Sequence, residues 1–393
     1  MRRNLGAHAL TASLAVVTAL GLAGCSEGAS PNGAAAATAS GPAVDTSAAK
    51  AEIDKAKALA TFTAPGPAFD VSKAQGKTIV NVSLNSTVPF NQIVDAAMGE
   101  AGKEAGVKVV QFTNQGQVSQ WIQGVQSGIA QKADAIVLEG SPDPKLLGPQ
   151  LAAAKAAGIP VISTHLYDES YVETAKKEQP NIAAFVDAHH YRAGTLMADY
   201  AIMNSGGHVN AYFVTSNEVQ PAAGIAKAFK DELAAKCPAT CKAEIVNIPI
   251  SDWATKVATQ VQTALLKDPS INYVVPVFDG MTSFLTTGIT QAGKTGSVKI
   301  VAYNGTASVM KMIQDKNLVV AEVGEPLEWL GWANMDQVLR VLTGTEPVAS
   351  EKTPLRVFDS TNVDEAGKPV NQKDGYGDPN QFKDGYRTLW GLK

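Results

Sequence analysis

KTIVNVSLNSTVPFN, Lys77 to Asn91, is the stretch that decides the fold. Ile79, Val80, Val82 and Leu84 make a largely β-branched apolar run, which reads as a buried strand of a parallel sheet. Asn85 to Pro89 cannot prolong a central strand, because Pro89 has no backbone N–H to give. Phe90, Ile93, Val94, Ala97 and Met98 then recur at helical spacing. A loop therefore leaves the carboxyl end of a strand and enters a helix. In open α/β sheets ligands sit at such places. Phe90 stands at the edge of the loop, where its ring can face a crevice or join the core.

Outward from this stretch, apolar strand runs alternate with helical patterns. Strands are expected at 107–112, 135–138, 159–164 and 182–186, with helices at 118–131 and 146–157 between them. A second series opens with a helix at 191–203. It continues through strands at 208–214, 244–248, 271–277, 298–302 and 319–323, with helices at 221–235, 254–266, 308–314 and 326–342. Such alternation predicts parallel sheets with helices on both faces, and two series of similar length predict two similar Rossmann-like lobes. After Thr353 the chain reads as irregular, rich in Gly, Asp and Asn, with Tyr376, Phe382, Tyr386 and Trp390 fastening it to the body as a strap.

The chain has 393 residues, room for two domains, and its net charge of −4 carries no basic stripe that would suit nucleic acid or an anionic membrane surface. Arg2 and Arg3, a small-residue and apolar run over 9–24, and then Leu22-Ala23-Gly24-Cys25 read as a secretory signal peptide over 1–24. The run is short for a membrane span. LAGC resembles a bacterial lipobox, which implies cleavage before Cys25 and a lipid on its thiol; an ordinary signal peptide with a chance cysteine is the alternative. Residues 26–49 read as a flexible tether, 50–59 have helix-forming composition, and Thr63 to Ala68 break the pattern, so 25–76 is expected to be tether and connector. Cys237 and Cys241, in CPATC, are spaced for a local disulfide in an exported protein. Half of a metal site is the other reading, but no second cysteine pair or nearby histidine completes one.

Four ordered segments carry a family resemblance: VPFNQIVDAAMGEAGKEAGVKVV, KADAIVLEGSPDP, AAKAAGIPVISTH and FDGMTSFLTTGITQAGKTGSVKIVAYNGT. Over about 77–342 the chain resembles the type I periplasmic binding proteins, and is most similar to their ribose- and galactose-binding branch, which serves ABC sugar importers. The resemblance implies two closing lobes, 77–187 plus 326–354 and 188–325 plus 355–393. Three crossovers are implied, near 187–190, at Glu325 and near 353–356. It implies no enzyme, no cofactor and no metal. The implied partners are a small carbohydrate-like ligand and a membrane permease, with the protein a monomer tethered outside the cytoplasm.

Carried over by position, Phe90 falls where the family stacks an aromatic on the sugar and Asn91 where a second aromatic is common. His165 falls where a carboxylate is usual, and His189 and His190 at the first crossing. Trp253 falls where another aromatic closes over the ligand. Phe278 and Asp279 stand in the place of an Asn-Asp pair, Asn304 in that of an Asp, and Glu325 in that of a polar group at the last crossing. The family's arginine near the helix at 221–235 is missing; Gln220 and Ala223 stand there. Aromatic faces and polar edges suit a sugar's C–H faces and hydroxyls. For Phe278 and the two histidines, core packing and a satisfied pair at the lobe junction stay open, as does simple packing for Trp253. Trp121 is a further candidate for covering the cleft. With no cation at the arginine position and Asp279 and Glu325 near the cleft, a neutral ligand is expected before an anionic one. No nucleophile elbow, phosphate loop, dinucleotide fingerprint or zinc-protease motif is present. A sensor that reports to a signalling receptor, or a binder of a non-sugar small molecule, would share these features.

Overall fold

The computed structural model describes residues 44–371 and 375–392. The expected signal peptide, Cys25 and the expected tether up to residue 43 lie outside the described residues. The chain from 78 onward forms two parallel-dominated sheets with helices on both faces, as the alternation predicts.

The first sheet has the order β2-β1-β3-β4-β5. Its strands are β1 (Thr78–Ser83), β2 (Lys108–Phe112), β3 (Ala135–Glu139), β4 (Val161–Asp168) and β5 (Ala184–Ala188), all parallel. The second has the order β11-β10-β9-β8-β6-β7. It is built from β6 (Asn210–Thr215), β7 (Lys242–Asn247), β8 (Tyr273–Pro276), β9 (Lys299–Asn304), β10 (Val319–Gly324) and β11 (Arg356–Asp359). The central strands are buried because helices cover both faces of each sheet.

Helix α1 (Ser47–Ala56) precedes the first sheet. The first lobe carries α2 (Pro89–Glu104), α3 (Val118–Ala130), α4 (Gly148–Ala156) and α5 (Val172–Glu178). The second carries α6 (His190–Ser205), α7 (Ala222–Lys236), α8 (Ala258–Lys267), α9 (Thr282–Gln291) and α10 (Ala307–Gln314). The chain crosses between lobes at residue 189, at 325–326 and over 344–355. Helix α11 (Leu327–Thr343) returns to the first lobe and packs on α2. Gly331 makes that approach possible. A Cβ there would lie 2.5 Å from Ala97 Cβ and 2.7 Å from the Val94 carbonyl.

Three expectations need correction. Residues 47–49 belong to α1, not to a loose tether; Ala49 and Ile53 are buried against the second lobe's core. Apolar burial, not composition, orders them. The tail after 353 is not irregular: it holds β11, which pairs antiparallel with β10, and α12 (Pro379–Leu389). Nor does all of it join the second lobe. Phe382, Tyr386, Leu389 and Trp390 pack into the first lobe's core, with Trp390 stacked on Trp332 at 5.3 Å. Cys237 and Cys241 are disulfide-bonded at the end of α7.

Candidate functional site

Two residues with unusual backbones mark the junction of the lobes. His165, in β4, has φ +58°, just where the pairing of β4 with β5 shifts register. Asn304, the last residue of β9, has φ +136°. Non-glycine residues hold such conformations at a cost, and they concentrate where function needs a side chain aimed. Both side chains meet at Glu325, immediately after β10. His165 Nε2 lies 2.8 Å from Glu325 Oε1, and Asn304 Nδ2 donates to Oε2 at 3.3 Å. All three are buried. Burial alone would raise Glu325, but the His165 imidazole beside it wins and holds its carboxyl below the ordinary range.

Phe90 enters from the first turn of α2, begun by Pro89, whose missing N–H costs nothing at that position. The half-buried ring sits 5.0 Å from that of His165. His190 opens α6 and is fully buried, its ring 4.9 Å from that of His165. Burial, then the neighbouring His165, pushes its pKa down to about 3, so it is neutral at physiological pH. Its Nε2 lies 3.2 Å from the His165 carbonyl and its Nδ1 3.2 Å from Tyr303 Oη. A carbonyl can only accept, so Nε2 carries the proton and Nδ1 accepts from Tyr303. The ring is thus fixed in one tautomer.

On the second lobe, Asp279 begins the turn before α9. Its Oδ2 accepts from Thr306 N at 2.8 Å and Thr306 Oγ1 at 2.6 Å, and its own N–H donates to Asn304 Oδ1 at 3.2 Å. Burial raises its pKa to about 7. Behind it, Glu322 accepts from Gly305 N, and burial and then Asp279 push it well above the carboxylate range. Phe278 is half-buried, its ring 6.4 Å from that of Tyr303. Trp253 lies against Gly280, and its indole N–H is shared between Ser216 Oγ at 2.9 Å and the Ile248 carbonyl at 3.1 Å.

Contacts therefore run without a break from Phe90 through His165, Glu325 and Asn304 to Asp279, with His190 and Phe278 joined through Tyr303. Trp253 borders the Asp279 turn. Asn91 turns away to donate to Glu139 Oε2 at 2.8 Å. His189 points elsewhere, its Nδ1 3.2 Å from Glu169; these two and Asp187 bring their ligand atoms within 4.8 Å of one another. Trp121 is buried in the first lobe, donating to the Leu84 carbonyl at 2.9 Å. Sequence reasoning missed Tyr303, Glu139 and Glu322. Each sits in an apolar strand and reads as filler, although a carboxylate there is costly unless it is partnered.

The arrangement offers an aromatic face and several acceptors, and its basic groups are imidazoles. Among the described residues no helix is long and apolar enough to cross a membrane.

Residues 79–346 match the model of the periplasmic binding protein domain family. The D-ribose/D-allose-binding protein of Pseudomonas aeruginosa is 24% identical over 236 residues, which cover 58% of this chain and 69% of the relative. An ABC transporter solute-binding protein from Agrobacterium vitis, solved with α-D-tagatopyranose, superposes with TM-score 0.65 at 20% identity, over 73% of this chain and 96% of that one. The 5-methylthioribose transporter solute-binding protein from Thermotoga lettingae, in complex with 5-methylthioribose, superposes with TM-score 0.67 at 17% identity, over 81% and 100%. Family model, lobe architecture and strand order agree: the chain belongs to the periplasmic binding protein family.

Proposed function

We propose that this protein is the extracytoplasmic capture component of an ABC importer. It is tethered by a lipid on Cys25 and closes its lobes over a neutral sugar or sugar-like polyol. The observation that carries the reading is the contact chain Phe90–His165–Glu325–Asn304–Asp279, which joins an aromatic face on one lobe to acceptors on the other. Its relatives were solved with a ketohexose and a thiopentose, and a polyhydroxylated ligand fits the same chemistry: C–H faces against a ring, hydroxyl donors against carboxylates. No arginine or lysine takes part in that contact chain, which disfavours an anion. Phe90 and Trp253 come from different lobes, so one holds the ligand in the open form and the other meets it on closure. The role is binding, not catalysis.

A thermal-shift screen of sugars, polyols and lactones tests this. A ligand at about a hundred times its Kd adds about 2.7 kcal/mol of stability. Titration calorimetry of the best hit against Phe90→Ala and Trp253→Ala should then show losses of about 2–4 kcal/mol each. Wild-type affinity in both variants would place the site elsewhere, and an anionic hit would overturn the charge argument.

A further inference from the structure

Below the first lobe's ligand loop lies a buried polar group with a different use. Asn81 and Ser83 are two apart on β1 and so share one face of the sheet. Gln111 on β2 stands in register with Asn81, and Glu139 on β3 in register with Ser83. Helix α2 lays Asp95 over them. Asn81 Nδ2 donates to Asp95 Oδ1 at 2.6 Å and to Gln111 Oε1 at 2.7 Å, and Ser83 Oγ donates to Asp95 Oδ2 at 2.6 Å. Asn81 and Glu139 are fully buried, and Asp95 is 8% exposed.

Two carboxyl groups thus adjoin and hydrogen-bond each other, and the other groups bonded to them are amides and hydroxyls, with no lysine, arginine or histidine. Two fully buried oxygens, Asn81 Oδ1 and Glu139 Oε1, have no hydrogen-bond donor. The Asn81 NH2 lies between Asp95 and Gln111, and the orphaned oxygen is the other branch of that same amide. Buried acceptors without donors call for a missing partner, and buried paired carboxylates for a positive charge.

We propose that Asp95, Glu139, Asn81, Ser83 and Gln111 form a cation site in the first lobe, taking a hard divalent ion, Ca2+ first. The donors are all oxygens, as Ca2+ requires, and these side chains can supply most of the six to eight it coordinates. A doubly charged ion neutralises the two carboxylates, takes the orphaned Glu139 oxygen and, with the Asn81 amide turned over, the orphaned Asn81 oxygen as well. Gln111 is exposed and forms the wall through which an ion enters. Without the ion a shared proton must take its place; burial raises both carboxyls, Glu139 well above the usual range. The site is independent of the proposed sugar contacts and ties β1, β2, β3 and α2 together beneath them.

Equilibrium dialysis of the full wild-type chain, stripped with EDTA, against radioactive CaCl2 at pH 8 should find one ion bound per chain. Millimolar CaCl2 should raise Tm by about 3 °C or more. The rise should shrink at pH 5, where protons compete, and NaCl at equal ionic strength should not reproduce it. Glu139→Gln should weaken binding about tenfold or more, as should Gln111→Ala on the exposed wall, while Glu169→Gln at the other carboxylate cluster should not. No retained Ca2+ and no Tm shift in the wild type, or binding lost with Glu169→Gln and kept with Glu139→Gln, would overturn the site. The wild-type dialysis decides even if a variant fails to fold.

Discussion

His165 and Asp279 show how single side chains set the properties of the junction. His165 was legible as a candidate site residue only by position. That it would sit at positive φ with its ring on Glu325 was not, because that depends on a register shift between β4 and β5. Asp279 makes stability depend on pH. Its carboxyl titrates at about 7 folded against 3.8 unfolded. The folded state therefore holds the extra proton between those values, and the stability it contributes is complete below 3.8 and lost as pH rises through about 7. His190 acts in the opposite sense. Buried neutral, it titrates at about 3 against 6.5, so its contribution is complete above 6.5 and lost as pH falls. From about 4 to 6.5 the two slopes offset each other, and above 6.5 Asp279 acts unopposed, with Glu322 pulling the same way. In EDTA, the Tm of the wild type should fall between pH 6.5 and 8, and Asp279→Asn should flatten part of that fall. An equally steep decline in the variant would show that this carboxyl is not the titrating group.

Among elements, the α2–α11 contact depends on close approach. Gly331→Ala forces the two helices apart, since the new methyl would meet Ala97 Cβ at 2.5 Å. Overpacking of this kind costs about 1–3 kcal/mol, so the urea midpoint should drop, and an unchanged midpoint would mean that the helices can shift freely. The strand–loop–helix from 77 to 104 was plain in the sequence because apolar runs, Pro89 and helical spacing agree there. β11 was not. Its four residues, Arg356 to Asp359, are short and charged at both ends, and they are a strand only because β10 offers an open edge. Helix α12 was hidden by a polar composition containing Gly385, and its apolar residues are ordered by α11, not by propensity. A local sign was available: Asp378 caps Asn380 N at 2.9 Å, with Pro379 in the first turn.

On the scale of the whole molecule, the C-terminal segment closes the first lobe. Trp390 is fully buried, stacks on Trp332 and donates to Asp336 Oδ1 at 2.7 Å, beside the Asp336–Arg340 ion pair. Trp390→Ala should cost about 3–5 kcal/mol, visible as a large drop in Tm, whereas a neutral outcome would make the segment an ornament to the fold. The two-lobed plan was readable because its alternation repeats; how the ends of the chain are stowed was not, because tertiary contacts alone order them. The N-terminal segment follows from this. α1 packs on the second lobe, while Phe62 and Phe69 pack on the first. Between them the backbone is held to the third crossing and to the start of β11: Lys352 Nζ donates to the Ala64 carbonyl at 3.2 Å, and Arg356 Nε to the Lys57 carbonyl at 2.9 Å. Phe69 N then donates to the Leu389 carbonyl at 2.8 Å. A fourth span of chain therefore bridges the lobes. Torsional stiffness rises with each strand that must bend together, so the amplitude of opening is curtailed and the lobes twist about a narrower set of axes. Less ordering is left for a ligand to impose, and affinity comes in part from a hinge that is already restrained.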